Sequence, residues 1–213
     1  MKTVRRLLVA AAAAFGAYRV LRWMNRWGAS EAELAGSFPG DELVTEPADS
    51  ATMAVTVRAE PEHVWSYLVQ LGQNRGGMYS YEWLERAFGL DITNASDIDD
   101  RWQKLEVGDR IQLAPPGWGP LPDGYALTVA RVDPPNILVL RQQPPEHPWD
   151  GIWTFTVEEI GPGLCRLVSH SRTHRPGGVA GCVGAVVGQA VGTPITWAMT
   201  RKMLLTIKQL AEA

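Results

Sequence analysis

Gly151–Thr173 reads GIWTFTVEEIGPGLCRLVSHSRT, and the way its side chains alternate decides how the chain folds. Trp153, Phe155 and Val157 share one face of the first half, and Thr154, Thr156 and Glu158 share the other. That two-residue period belongs to a half-buried strand. Gly161-Pro162-Gly163 supplies turn chemistry, and a second alternation follows, with Cys165, Leu167, Ser169 and Ser171 opposite Arg166, Val168, His170 and Arg172. Arg166 and Arg172 belong outside, which turns Leu167, Ser169 and Ser171 inward together with Trp153 and Phe155. The inner face is therefore apolar with a few hydroxyls. It suits a chamber for an amphipathic lipid or polyketide-like molecule, and it suits a solid core equally well.

Working outward, Met53, Val55 and Val57 alternate with Thr52, Thr56 and Arg58 in a first strand over 51–59. Pro61 opens a helix with inner residues Val64, Trp65, Leu68 and Leu71, for which Gly72 suits the C-terminal cap. A second short helix is expected over 80–88. Further strand patterns occupy 109–114, 124–132 and 136–142, separated by prolines and glycines. In Val107-Gly108-Asp109 the glycine is expected at positive φ, turning the chain into a strand. Thr193-Pro194 reads as a cap and first-turn proline for a last helix to about Ala211, with Met199, Met203, Ile207 and Leu210 at helical spacing. Strand, two short helices, a run of strands and a long helix do not alternate as βα units do. The expected class is α+β, a helix-grip in which a curved antiparallel sheet wraps a long C-terminal helix, with an added apolar and basic N-terminal helix.

Between the first two helices lies GGMYSYEWLE, Gly76–Glu85. Two glycines read as a flexible entry, and Tyr79, Tyr81 and Trp83 bring amphipathic rings beside Glu82 and Glu85, as at a pocket mouth; an amphipathic helix sealing a core accounts for the segment equally well. The strings VWSYLVQLGQNRGGMYSYEWLE and ITNASDIDDRWQKLEVGDRIQL, with WGAS at Trp27, FPGDELV at Phe38 and the closing MTRKMLLTIKQLAE, resemble an actinobacterial branch of the SRPBCC superfamily, the START-like, polyketide cyclase-like helix-grip group. The resemblance runs from Trp27 to the C-terminus with a weakly matching stretch at about 175–192. It implies a fold and a cavity between sheet and last helix, and no particular reaction.

At 213 residues, 46% hydrophobic and 20% charged, the chain has the balance of one globular domain plus an appendage. Lys2, Arg5, Arg6, Arg19, Arg22 and Arg26 stand without an acid in the first 26 residues, so the rest carries minus nine against an overall minus three. An acidic body lacks the clustered cations that nucleic acid requires. Leu7–Tyr18 is uncharged and Ala-rich and admits three readings: a secretory signal, though without a convincing cleavage site; a span with snorkelling arginines; or an interfacial helix with Arg19, Arg22 and Arg26 on one stripe. The preferred division is a membrane-associated helix over 1–28, a mostly irregular connector over 29–50 and the domain over 51–213, with the domain on the cytoplasmic side. A helix packed on its own domain is the competing account.

Gly178–Gly192 carries no charge and places Gly184, Gly188 and Gly192 four apart, as in close-packed membrane helices; a second membrane segment competes there with a buried or surface-dipping hairpin. His63, His147, His170 and His174 are scattered, no metal-ligand spacing appears, and no cofactor motif is present, so neither metal nor cofactor is expected. Cys165 and Cys182 read as buried free thiols. Trp118 and Trp149 sit in loops able to flank a cavity entrance. The expected function is binding or carriage of a hydrophobic small molecule or lipid near the membrane, with Tyr79, Tyr81, Trp83, Trp153, Phe155, Leu167, Ser169 and Ser171 as contacts. One alternative is a cofactor-independent cyclase or dehydrase using Glu82 with Tyr81 or Tyr79. Another is a structural membrane-associated domain with a filled core.

Overall fold

In the computed structural model the described residues are 2–118, 122–147, 150–174 and 179–213, the side chains of 179–189 excepted. Six antiparallel strands, β1 (Asp49–Val57), β2 (Arg110–Ala114), β3 (Tyr125–Asp133), β4 (Ile137–Gln142), β5 (Asp150–Gly161) and β6 (Leu164–His174), form one curved sheet in the order β1-β6-β5-β4-β3-β2. The hairpin read first in the sequence supplies its centre, with Trp153 opposite Ser171, Phe155 opposite Ser169 and Val157 opposite Leu167. The chain forms a helix-grip: α5 (Val179–Ala211) crosses the concave face, α3 (Pro61–Leu68) packs against α5, β5 and β6, and the short α4 (Glu82–Ala87) follows it in the chain. Pro61 occupies the first turn of α3, where its missing N–H costs nothing. The main core joins Val55, Val57, Trp65, Leu68, Phe155, Leu167, Leu204 and Ile207 between sheet and helices.

Three features differ from the expectation. First, α5 starts at Val179 rather than at Thr193-Pro194 and runs through Pro194 for 33 residues. An interior proline removes one backbone hydrogen bond, and the helix continues beyond it to place Met203, Leu204 and Ile207 in the core. Second, the connector, irregular over most of its length as expected, packs on the domain and buries strand faces expected to be exposed. It contains α2 (Glu31–Ala35), whose Ser30 and Glu33 form a capping box, and a 3-10 turn at Asp41–Leu43. It covers the convex face of the sheet: Arg166 pairs with Glu33 at 2.7 Å, Thr154 donates to the Pro39 carbonyl, and Val44 packs with Val139 and Ile152. Strands expected to be half-buried are therefore buried on both faces, with Thr52, Ala54 and His170 each at most 5% exposed. Arg166 draws the Glu33 carboxyl down to about 2. Third, the chain around residue 28 packs on the domain. The Asn25 and Trp27 carbonyls accept from the Thr52 and Ala54 amides and so cover the free edge of β1. Gly28, at φ +74°, lies against the Ala54 carbonyl, where a side chain has no room.

The first helix, α1 (Lys2–Met24), has no buried residue. Among the described residues it is the one helix long and apolar enough to cross a membrane by length and composition; 23 residues at about 1.5 Å each reach roughly 34 Å, against a hydrocarbon core of about 30 Å. Its lower end meets α5, with the Trp23 and Trp197 rings 5.7 Å apart and Arg201 stacked 4.9 Å over Trp27.

Candidate functional site

The grip is solid at one end and open at the other. Along the inner face Val57, Val157, Leu138 and Ile207 are sealed in core, whereas Met53, Trp153, Ser169 and Ser171 border a cavity of about 420 Å³. That volume falls within the roughly 300–1,000 Å³ typical of small-molecule sites. Met53, Leu113, Leu127, Trp153, Met199 and Met203 give it apolar walls, and Ser80, Gln142, Ser169, Ser171 and Thr200 give it polar points. No charged side chain lines it among the described residues.

The strand period explains this set. Alternate residues of β1, β5 and β6 face α5, and the side chains shorten toward the ends of the strands that meet the middle of α5: Val55 and Met53 give way to Ala51, and Leu167 to Ser169 and Ser171. Small side chains on the sheet leave room that the methionines of α5 do not fill. The Trp153 indole donates to Ser169 Oγ at 2.9 Å and packs on Phe155 at 4.8 Å, so the ring is fixed as the boundary between cavity and core. Ser80 is 5% exposed, and its hydroxyl has no hydrogen-bond partner among the described residues. Buried hydroxyls are seldom left unpaired, which makes Ser80 a ready contact for a polar group in the cavity. The Tyr125 hydroxyl donates to Gln142 Oε1 across one wall. Ser80, Gln142 and Thr200 were not singled out in the sequence; their strand and helix registers point to the cavity only once the neighbouring elements are placed.

Of the sequence-derived contacts, Trp153, Ser169 and Ser171 come together in the cavity wall, and Phe155 and Leu167 lie below it in the core at 0% exposure. Tyr79 also goes into the core. It adopts φ +53°, is fully buried, and its hydroxyl accepts from Gln70 Nε2 at 2.6 Å, with burial pushing it up to about 12. Tyr81 and Trp83 pair with one another outside the cavity wall, and Trp83 is 65% exposed. Glu82 lies outside the wall as well, accepting from the Asn94 amide at 2.9 Å and from Arg86 at 2.9 Å. Gly76-Gly77 is a tight junction rather than a flexible entry. Gly72 and Gly77 exchange both backbone hydrogen bonds, and a Cβ on Gly77 overlaps Asn94 and the Thr93 carbonyl. Gly108 takes the positive φ expected of it, at +97°. Trp118 donates its indole N–H to the Phe88 carbonyl, whereas Trp149 and the Cys182 side chain lie outside the described residues.

Buried titratable side chains also lie away from the cavity. Asp41, His170 and Thr52 form a chain, His170 Nε2 at 3.1 Å from Asp41 and Nδ1 at 2.9 Å from Thr52 Oγ1, with Phe38 stacked on the imidazole. Its spacing is that of a catalytic triad, yet all three members are buried beneath the connector on the convex face, and it serves to latch the connector to the sheet. Burial lowers the His170 pKa, favouring the neutral ring. Among the described residues no three His, Cys, Asp or Glu side chains form a group able to hold a metal.

Glu85 is fully buried with neither carboxyl oxygen hydrogen-bonded among the described residues, and burial, followed by the nearby charge of Glu82, pushes it up to about 7 from an ordinary 4.5. Below pH 4.5 folded and unfolded chains both hold the proton. Between 4.5 and 7 only the folded chain keeps it, so stability falls as pH rises through that window. Glu85→Gln lacks this slope. From pH 4 to pH 8 its stability relative to the native chain is expected to rise by on the order of 2 kcal/mol, read from urea melts; parallel pH profiles for the two proteins overturn the assignment.

No protein-family model matches this sequence, and a search of curated proteins finds no match. Among solved structures the chain is similar to a point mutant of a Thalictrum norcoclaurine synthase bound to a transition-state analogue, at 16% identity over 76% of this chain and 93% of that one with a TM-score of 0.42. It is similar to protein CV1439 from Chromobacterium violaceum at 12% identity, 77% and 97% coverage and a TM-score of 0.43. It is also similar to the Aha1 dimer from Colwellia psychrerythraea at 14% identity, 77% and 96% coverage and a TM-score of 0.40.

Proposed function

We propose that this chain is a member of the SRPBCC superfamily, of the actinobacterial branch its motifs resemble, and that it binds or carries an uncharged hydrophobic small molecule or lipid at the membrane. The observation that supports this reading is the half-apolar cavity between β1, β5, β6 and α5, which among the described residues has no charged lining and a Ser80 hydroxyl without a hydrogen-bond partner. A charged guest would lose its hydration there without an ion partner, whereas an apolar body with one or two hydrogen-bonding groups would not. Helix α1 is the membrane anchor in this reading, with Arg19, Arg22 and Arg26 at the headgroup level. The cyclase or dehydrase alternative loses ground because Glu82 and Tyr81 stand outside the cavity wall.

The test is native mass spectrometry of full-length protein taken from the membrane fraction into mild detergent. A hydrophobic adduct is expected on the native chain and not on Ala51→Trp, which fills the cavity from the edge strand. Recovery from the soluble fraction overturns the anchor, and the absence of any adduct on the native chain overturns the carrier.

A further inference from the structure

Tyr81 and Trp83, which the cavity leaves outside its wall, belong to a group of rings and cations gathered where α1 ends. The Trp23 ring lies 5.7 Å from Trp197 of α5, and the Arg201 guanidinium stands 4.9 Å over Trp27 and 6.0 Å over Trp197. The next residue, Lys202, brings its ammonium to 5.9 Å from the centre of the Tyr81 ring, and Tyr81 packs on Trp83 with centroids 6.0 Å apart. Trp197, Arg201 and Lys202 fall within about one and a half turns of α5, or about 7.5 Å along its axis. Four of the chain's nine tryptophans are thus drawn to one level of one helix. They do not close a core there, since Trp23 is 55% and Trp83 65% exposed.

The charges at this level point outward as well. Among the described residues neither Arg201 nor Lys202 forms an ion pair. On α4, Glu82 is paired with Arg86 at 2.9 Å and Glu85 is fully buried. Arg22 and Arg26 add two cations at the end of α1, and Asp49 shares a small hollow with Asn25 beside them, so cations outnumber the acid. Rings with one polar edge settle at the headgroup level of a bilayer, where lysine and arginine meet lipid phosphates. The helix that ends at this belt is the one long and apolar enough to cross a membrane among the described residues.

From this juxtaposition we propose that the belt is a second membrane contact: the domain lies with Trp83, Tyr81 and Lys202 on an anionic bilayer surface, and α1 and this face fix its orientation together. The proposal rests on the reading of α1 as the membrane anchor. A second copy of the chain is the poorer occupant, because a two-fold interface sets the same cationic patch against itself. The stretch of α5 that carries the belt also lines the cavity through Met199, Thr200 and Met203. Docking by this face therefore leaves one helix, about 10 Å thick, between the cavity and the headgroups.

Full-length protein carrying 5-fluorotryptophan in nanodiscs of phosphatidylcholine and phosphatidylglycerol tests the contact. Fluorine spectra are recorded with and without a lipid bearing a nitroxide on its headgroup, and each line is assigned by a variant such as Trp83→Phe. The nitroxide is expected to erase most of the intensity of Trp23, Trp27 and Trp83 while Trp65, buried in the core, stays sharp. Lys202→Gln is expected to lower the ratio of docked to undocked domain, read from the Trp83 line, by about fivefold, and omission of phosphatidylglycerol to lower it further. The Trp65 line reports that the variant is folded. Broadened Trp23 and Trp27 beside a sharp Trp83 overturn the second contact and leave the anchor intact. Sharp lines for all three overturn anchor and contact together. A Trp83 line equally broadened without phosphatidylglycerol, or unchanged in folded Lys202→Gln, overturns the anionic partner. A Trp83 line that ignores the nitroxide yet shifts when each disc carries two chains assigns the face to a second copy and overturns the bilayer contact.

Discussion

Replacing Gln70 by methionine is expected to cost about 3–5 kcal/mol, because it strands several buried polar groups at once while changing little volume. Gln70 follows α3 at 0% exposure, and its amide nitrogen donates to the Tyr79 hydroxyl at 2.6 Å and to the Asp97 carbonyl at 3.0 Å. Its oxygen accepts from the Asp99 amide at 3.0 Å. One side chain thus fixes the inward turn of Tyr79 and holds the segment from Asp97 to Gln103 against α3. Losing it leaves a phenol, a carbonyl and an amide N–H to find water or remain unpaired, each at about 1–3 kcal/mol. Against a total stability of about 5–15 kcal/mol for an ordinary domain, the variant stands near its threshold. Urea titration gives the answer: a midpoint displaced with unchanged slope confirms the loss, and a change under about 1 kcal/mol shows that the three groups have other partners.

Trp65→Ala is expected to cost a similar amount, about 3–5 kcal/mol, by a different route. The ring is 7% exposed and belongs to the cluster that includes Val64, Leu68, Phe155, Leu204 and Ile207, at the closed end of the grip. Its removal leaves a void in close-packed surroundings that relax only in part. Because this end of the domain is solid, the cavity at the other end is expected to keep its walls. Thermal melting with and without 1-pyrenebutanol, an uncharged apolar probe of the cavity, separates the two effects: a large fall in Tm with the same probe-induced shift as the native chain places Trp65 in the core alone. A neutral melting temperature shows that α3 does not carry its share of the packing.

Local rules made much of this legible in advance. The alternation over 151–173 placed Trp153, Ser169 and Ser171 on one inner face, because a strand has only two faces and the arginines Arg166 and Arg172 claimed the other. Turn residues bounded each strand, and Pro61 located the start of α3, since proline and glycine limit the backbone wherever they stand. The basic, acid-free first 26 residues stood out by composition alone.

What the chain does with those faces was settled by packing over long sequence distances. Whether the inner face is core or cavity depends on how far α5 fills the sheet, and the answer is both: the large side chains of one half interlock, and the small ones of the other leave about 420 Å³ open. Tyr79 was read with Tyr81 and Trp83 as one aromatic cluster, yet it turns into the core because Gln70, nine residues earlier, accommodates its hydroxyl. The connector carries no period to announce it, and it becomes structure only because Glu33, Asp41 and Val44 find Arg166, His170 and Val139 on strands more than ninety residues away. Sequence by itself determined the faces, the turns and the class of fold, which follow from neighbours along the backbone. The depth of the cavity, its place at one end of the grip and the burial of the convex face belong to the tertiary structure, because each is the remainder of volume and charge after distant elements have met.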